Sequence, residues 1–144
     1  MTKTYELTFV RRLVNSVMRR LVAWDKAPAH MYLLTIPGRK SGELYSTPVT
    51  LVEEDGERWL VAPYGAVSWV LNARAAGEVT LSRGGKSETL AIEELGPEQA
   101  APVLRSYLQD VSIVQPYFDC QPDSPLEDFE AEASLHPVFR LIRS

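Results

Sequence analysis

Alternating hydrophobic and polar positions predict that the central part of the chain is a β-sheet. Between residues 31 and 62, turn-forming residues interrupt the apolar positions twice. At the first interruption Pro37 donates no backbone N–H and Gly38 tolerates a positive φ. The second contains Asp55-Gly56, which is typical of a two-residue hairpin. The pattern therefore predicts three strands, over residues 33–36, 44–52 and 58–62, with the second strand broken at Pro48.

Apolar residues at spacings of three and four predict helices around this sheet. The first runs from Leu7 to Trp24, with arginines opposite its apolar face. A second runs from Trp69 to Ala76, with Ser68 as its N-cap and Gly77 ending it. A third begins at Pro97, extends to about Tyr107 or Asp110, and has a core side of Ala101, Leu104, Tyr107 and Leu108.

The remaining segments complete the predicted order of elements. Fourth and fifth strands cover residues 78–82 and 87–93, joined by a turn whose two glycines supply positive φ. Residues 111–135 carry three prolines and many carboxylates, which predicts a loop or short helix, then a short acidic helix with a solvated face. The last strand covers residues 138–142.

Composition is typical of a single soluble globular domain. The 144 residues are 45% hydrophobic and 24% charged, and no apolar run is long enough to span a bilayer. Arginines interrupt the apolar residues near the N-terminus, so a signal peptide is not predicted. The single cysteine, Cys120, has no internal partner, which favours the reducing cytoplasm.

Charge is distributed unevenly. Residues 1–44 carry eight Lys and Arg against three Asp and Glu, whereas residues 45–144 carry seven against sixteen. This balance does not favour nucleic acid but allows a local anionic ligand. Arg39 and Lys40, in the first turn, are the candidate site, and the alternative is a solvated hairpin. The basic face of the first helix is consistent with packing on the sheet or with contact to anionic lipid at the membrane surface.

Familiar catalytic motifs are absent from the sequence. Lys40-Ser41 lacks the glycine spacing and following helix of a phosphate loop, and there is no GxGxxG, GxSxG or HExxH pattern. His30 has only Asp25 nearby, so no metal site is predicted. Cys120 and His136 would be a weakly supported nucleophile and base. If the protein is an enzyme, the reactive group is expected to belong to a bound cofactor.

Three stretches together resemble the deazaflavin-dependent nitroreductases and quinone reductases of actinobacteria. The first is Leu33–Gly42 with Tyr45–Val49, the second is Trp69–Gly77, and the third is His136–Arg140. The resemblance implies an α+β fold with a split β-barrel, mostly antiparallel and related to FMN-binding barrels. It would place the N-terminal helix in residues 1–24, the barrel core in 31–93, helices and a loop in 97–135, and a closing strand in 138–142.

The resemblance also implies hydride transfer from the reduced deazaflavin coenzyme F-420 to a quinone, nitroaromatic or activated enone. The basic turn would bind the phosphate and polyglutamate tail of the coenzyme. Thr47 and Pro48 would line the groove beneath its ring, and Trp69 and Asn72 would orient it. The implied cofactor-binding residues are Gly38, Arg39, Lys40, Ser41, Gly42, Thr47, Pro48, Ala62, Pro63, Tyr64, Trp69 and Asn72.

The residues expected to contact the substrate depart from the family pattern. The candidate proton donors, Tyr107 and Tyr117, are far apart in sequence, and apolar residues surround them (Val111, Ile113, Val114 and Phe118), which suggests a lipophilic acceptor. Two other classes remain open: an FMN-dependent oxidoreductase, and a non-catalytic barrel that binds the coenzyme or a lipid. The sequence is compatible with a monomer or a homodimer.

Overall fold

The computed structural model describes residues 30–142, and six antiparallel strands in this range form a closed barrel. The strand order around the barrel is β1-β2-β3-β6-β5-β4. The strands are β1 (Met31–Pro37), β2 (Leu44–Glu54), β3 (Glu57–Val61), β4 (Glu78–Arg83), β5 (Lys86–Glu94) and β6 (Val138–Ile142). The predicted barrel is confirmed, and β6 closes it between β3 and β5.

Helices connect the strands at two places. Helix α1 (Ser68–Ala76) joins β3 to β4. Helix α2 (Pro97–Asp110), a 3₁₀-helix (Ser112–Tyr117), helix α3 (Leu126–Glu132) and a second 3₁₀-helix (Ala133–Leu135) join β5 to β6. The four residues predicted for the core side of α2 are all buried.

Successive strand residues contribute to two separate hydrophobic cores, because alternate side chains point to opposite faces of a strand. Leu51 and Leu60 belong to one cluster, together with Phe139 and with Val70 of α1. Their neighbours Val52 and Val61 belong to the other cluster, together with buried residues of α2 and α3. The first core fills the barrel beneath α1, and the second lies between the barrel and α2.

The predicted turns are present. Asp55 and Gly56 both have positive φ, at 53° and 80°, as a two-residue turn between β2 and β3 requires. Gly84 and Gly85 have φ of 59° and 80° between β4 and β5. Helix α1 ends at Gly77 with φ of 74°.

Two local predictions are wrong. Pro48 does not break β2, because it pairs with Leu33 of β1 in a half of the strand that β3 does not reach. Ser68 is not the N-cap of α1; the capping position is Val67, without a side-chain hydrogen bond. Gly38 does not adopt the positive φ that glycine tolerates. A Cβ atom there would lie 2.6 Å from Tyr45 Cε2, so the Tyr45 ring packs where a side chain would be.

The carboxylate-rich residues 111–135, here called the acidic segment, are only partly a solvated surface. Most of its carboxylates are exposed, but Glu132 is 6% exposed. Two of the apolar residues expected to contact a lipophilic acceptor, Val114 and Phe118, are instead buried in the core beneath α2.

The predicted helix from Leu7 to Trp24 lies outside the described residues. Among the residues that are described, no helix is long and apolar enough to cross a membrane.

Candidate functional site

A groove of about 370 Å³ lies between α1 and the β1–β2 hairpin. Strand β1 supplies its floor, the hairpin tip and the start of β2 supply one wall, and α1 supplies the other. Its lining residues are Leu34, Ile36, Gly38, Arg39, Lys40, Ser41, Tyr45, Ser46, Thr47, Ser68, Trp69 and Asn72.

The basic tip, defined here as Gly38–Gly42, is held by hydrogen bonds at its base. The Gly38 N–H donates to the Glu43 carbonyl at 2.7 Å, and the Gly42 N–H donates to the Gly38 carbonyl at 2.9 Å. Gly42 has φ of 75°, a conformation that favours glycine. The exposed side chains of Arg39 and Lys40 therefore project from a defined turn at the rim of the groove.

Asn72 joins this tip to α1. Its side chain is 6% exposed, and Oδ1 accepts hydrogen bonds from the Arg39 backbone N–H at 3.0 Å and from Arg39 Nη1 at 2.8 Å. Both partners can only donate, so the amide oxygen must face them. Asn72 thus orients the Arg39 guanidinium towards the groove.

The floor of the groove is apolar. Leu34 and Ile36 are 0% and 2% exposed, and Trp69 packs against Phe139 with ring centroids 6.3 Å apart. Hydroxyl groups line the walls, and that of Ser46 is hydrogen-bonded to Thr35 at 2.8 Å. A planar ring could therefore pack on the floor while an anionic tail meets the guanidinium and ammonium groups at the rim.

Seven of the predicted cofactor-binding residues come together here: Gly38, Arg39, Lys40, Ser41, Thr47, Trp69 and Asn72. The other five, Gly42, Pro48, Ala62, Pro63 and Tyr64, do not line the groove. Gly42 shapes the tip, and Ala62 is buried at the end of β3, where its N–H donates to the Pro137 carbonyl at 2.8 Å.

The two candidate proton donors lie away from the groove: Tyr107 belongs to the core beneath α2, and Tyr117 is partly buried against that core. The Tyr64 and Tyr117 rings form an edge contact with centroids 4.7 Å apart, and neither Tyr107 nor Tyr117 lines the groove. Tyr107 is 5% exposed. Burial, and to a smaller extent the nearby Tyr64, raise the pKa of Tyr107 above its usual value. A phenol with a raised pKa is a weaker proton donor.

Sequence reasoning missed the contribution of Tyr45, Ser46 and Ser68 to the groove. The period-two spacing of Tyr45 and Thr47 along β2 could have identified Tyr45, because such residues share one face of a strand. Arg74 also lies on α1, but it does not line the groove and pairs with Glu94 at 2.8 Å on the exposed surface.

Similar folds occur among solved structures. A structure named F420-H2 dependent reductase (FDR-A) is 25% identical, covers 78% of this chain and 94% of its own, and has a TM-score of 0.54. A FAD-binding protein from Mesorhizobium loti is 14% identical over 96% and 91% of the two chains, with a TM-score of 0.51. A putative pyridoxamine 5'-phosphate oxidase from Listeria innocua is 9% identical over 88% and 92%, with a TM-score of 0.55. At these lower identities, the last two likenesses show the fold alone.

The sequence comparison is more specific about function. No curated protein matches the chain. The model of one family, described as F420H(2)-dependent quinone reductase, matches residues 6–121, which include the groove and the basic tip. The chain therefore belongs to the F420H(2)-dependent quinone reductase family and is an oxidoreductase that uses coenzyme F-420.

Proposed function

We propose that this enzyme transfers hydride from reduced coenzyme F-420 to a lipophilic acceptor, such as a quinone, a nitroaromatic or an activated enone. The observation that carries the proposal is one groove with a basic rim and an apolar floor. F-420 has the matching two parts, a flat deazaflavin ring and a polyanionic tail.

Arg39 and Lys40 would bind the anionic tail. Their charges project from a turn with fixed backbone geometry, and Asn72 already orients the Arg39 guanidinium. Ser41 lies in the same turn, where its hydroxyl accepts a hydrogen bond from the Glu43 N–H at 3.2 Å. The hydroxyl can still donate its proton to a phosphate oxygen.

The ring system would pack between α1 and β1. Trp69 offers an aromatic face beside the aliphatic floor of Leu34 and Ile36, and Thr47 offers a hydroxyl on the opposite wall. These groups exclude water from the reacting carbon and fix its position, which is the main contribution that a protein makes to a direct hydride transfer. When bound, the reduced coenzyme supplies the hydride.

Reduction of a quinone also needs a proton. We propose Tyr117 as the donor in preference to Tyr107, because Tyr117 is only partly buried, whereas Tyr107 is enclosed and its pKa is raised. Tyr117 packs against Tyr64, which lies in the segment between β3 and α1. Tyr117 would therefore donate the proton from that side of the groove.

Titration with oxidised F-420, FMN and haem, followed by fluorescence or absorbance, tests the ligand. We expect saturable binding of F-420 only. Turnover is then measured as oxidation of reduced F-420 with a menaquinone analogue and with a nitroaromatic, and NADPH in place of reduced F-420 is the control. Tight FMN or haem binding without F-420 binding would contradict the proposal.

We further propose peripheral contact with the inner face of the membrane through residues 7–24, since a lipophilic acceptor resides there. The support is the basic face that the sequence predicts for this segment. Replacing Arg11, Arg12, Arg19 and Arg20 by Gln should weaken co-sedimentation with anionic vesicles and leave F-420 binding unchanged. Salt-insensitive or absent vesicle binding by the parent protein would refute the contact.

A further inference from the structure

A buried polar cluster lies outside the groove, where the acidic segment meets the barrel. It consists of Cys120, Glu132 and His136, which are 7%, 6% and 2% exposed. Glu132 Oε1 lies 2.7 Å from His136 Nε2, and Glu132 Oε2 lies 2.9 Å from Cys120 Sγ. Buried ionisable groups are costly unless paired, so this arrangement needs an explanation.

Counting donors and acceptors assigns the charges. Glu132 accepts hydrogen bonds from the Asp119 N–H at Oε1 and from the Cys120 N–H and S–H at Oε2, and Nε2 of His136 lies 2.7 Å from Oε1. An ionised carboxylate has enough lone pairs to accept hydrogen bonds from all four groups. Burial alone would raise the pKa of Glu132, but the hydrogen bonds from Cys120, His136 and Asp119 outweigh it and lower that pKa. Glu132 is therefore ionised, and Nε2 of His136 carries a proton.

The other ring nitrogen of His136 is also protonated. Nδ1 lies 2.8 Å from the Pro63 carbonyl, which can only accept a hydrogen bond. Because Nε2 faces the Glu132 carboxylate and Nδ1 faces a backbone carbonyl, we infer that His136 is an imidazolium enclosed between the two. Phe118 stacks on its ring with centroids 3.7 Å apart and planes inclined by 12°, a geometry that favours a cation.

The imidazolium holds the loop that leads to the groove. Pro63 belongs to the segment 62–67 between β3 and α1, here called the β3–α1 loop. A series of backbone hydrogen bonds spans this loop: the Gly65 N–H donates to the Ala62 carbonyl at 3.3 Å, the Val67 N–H to the Gly65 carbonyl at 2.9 Å, and the Val70 N–H to the Val67 carbonyl at 3.0 Å.

This series ends at the first turn of α1, the helix that supplies Trp69 and Asn72 to the groove. Asn72 in turn holds Arg39 of the basic tip. Hydrogen bonds joined by short stretches of backbone therefore connect the buried ion pair to the groove, although neither member of the pair lines it.

We propose that Glu132 and His136 are positioning residues of the enzyme. Their ion pair fixes the β3–α1 loop at the Pro63 carbonyl, and through α1 it sets the position of Trp69, Asn72 and Arg39. The consequence for coenzyme binding rests on the proposed function of the groove, whereas the positioning itself does not.

Two variants separate the charge from the contact. His136→Phe keeps the ring that stacks on Phe118 but removes both nitrogens. In Glu132→Gln the amide can donate to a neutral His136, whose Nδ1–H still reaches Pro63, so a weaker neutral hydrogen bond replaces the ion pair that holds the loop. Phe129→Leu is the matched control, because it weakens the core beneath α3 through a fully buried side chain that makes no polar contact with the loop.

The readouts are the affinity for F-420 and amide hydrogen exchange at Gly65, Val67 and Arg39, whose N–H groups are bonded in the loop and to Asn72. We expect His136→Phe to raise the Kd for F-420 about fivefold or more, the lower end of coupling between sites. It should also speed exchange at all three amides. Glu132→Gln should raise the Kd and the exchange rates by smaller factors than His136→Phe. Phe129→Leu should change neither readout in the folded protein.

Wild-type Kd and wild-type exchange in His136→Phe would overturn the proposal and leave the pair a purely structural element. If that variant does not fold, ¹⁵N spectra of the wild-type imidazole decide together with Glu132→Gln. Two protonated nitrogens on His136 and faster exchange at Arg39 in Glu132→Gln support the proposal, and one bare nitrogen or unchanged exchange refutes it. If the wild-type protein binds no F-420, the proposed function fails, while exchange at Arg39 still tests the positioning.

Discussion

Replacing Asn72 tests how the groove is held together. In Asn72→Ala, the Arg39 backbone N–H and guanidinium both lose their acceptor. A neutral hydrogen bond contributes about 1 kcal/mol and one to a charged group about 2 kcal/mol. Arg39 is exposed, so its guanidinium regains water and that second value is an upper limit. We expect the free energy of unfolding to fall by about 2 kcal/mol, measured by urea denaturation.

The same change should weaken coenzyme binding, because the guanidinium is no longer held towards the groove. We expect the Kd for F-420 to rise about tenfold, which corresponds to about 1.4 kcal/mol. Fluorescence titration of the oxidised coenzyme measures this. Arg74→Ala is the control on the same helix, since its ion pair with Glu94 is exposed and contributes about 0 to 1 kcal/mol.

Asn72→Asp separates stability from binding. The carboxylate still accepts both hydrogen bonds, so stability should be retained. Its negative charge neutralises Arg39 and should repel the anionic tail, so affinity should fall nonetheless. If Asn72→Ala and Asn72→Asp both bind F-420 with wild-type affinity, Arg39 is not part of the coenzyme site.

Three further predictions concern single side chains. Tyr117→Phe should lower kcat for quinone reduction with little change in the Kd for F-420, whereas Tyr107→Phe should alter neither; a wild-type kcat in both variants would mean that water supplies the proton. Burial first, and then the hydrogen bond and charge of Glu132, raise the pKa of Cys120 from 9.0 to about 12. The unfolded chain therefore loses this proton first, and stability should fall above pH 9 by about 1.4 kcal/mol per pH unit. The free energy of unfolding, measured by urea denaturation between pH 9 and 10, should fall less steeply with pH in Cys120→Ser than in the parent protein. The same pH dependence in both proteins would refute the raised pKa of Cys120. Gly38→Ala should displace the Tyr45 ring from its contact with Gly38 and lower F-420 affinity, and wild-type affinity would contradict that packing.

The strands and their turns could be predicted from the sequence because the signals are local. Asp55-Gly56 and Gly84-Gly85 take the positive φ that their hairpins need, and the alternation of Leu51 with Val52 divides one strand between two cores. Pro48 was misinterpreted because its tolerance depends on a non-local fact, namely that β3 pairs with β2 only from Leu51 onward.

The candidate site could be predicted only in part. The basic tip and α1 carry their chemistry within short motifs, so Arg39, Lys40, Trp69 and Asn72 can be predicted as candidate site residues from the local sequence. That Asn72 holds Arg39, 33 residues away, depends on the closed barrel. The spacing of Glu132 and His136 matches neighbouring turns of a helix and could have indicated a pair. Their burial could not be predicted, because the acidic segment as a whole resembles a solvated surface.

The most direct test of the account is the double variant Arg39→Ala with Lys40→Ala, titrated with F-420 and with its tail-free deazaflavin core at several salt concentrations. Each charge-assisted contact should contribute about 1 to 3 kcal/mol, so the account predicts that the Kd for the tailed coenzyme rises about tenfold or more. Affinity for the tail-free core should change much less, and the double variant should lose most of the salt dependence of the parent protein. Wild-type affinity and salt dependence for the tailed coenzyme in the double variant would contradict the assignment of the basic tip as its anion site.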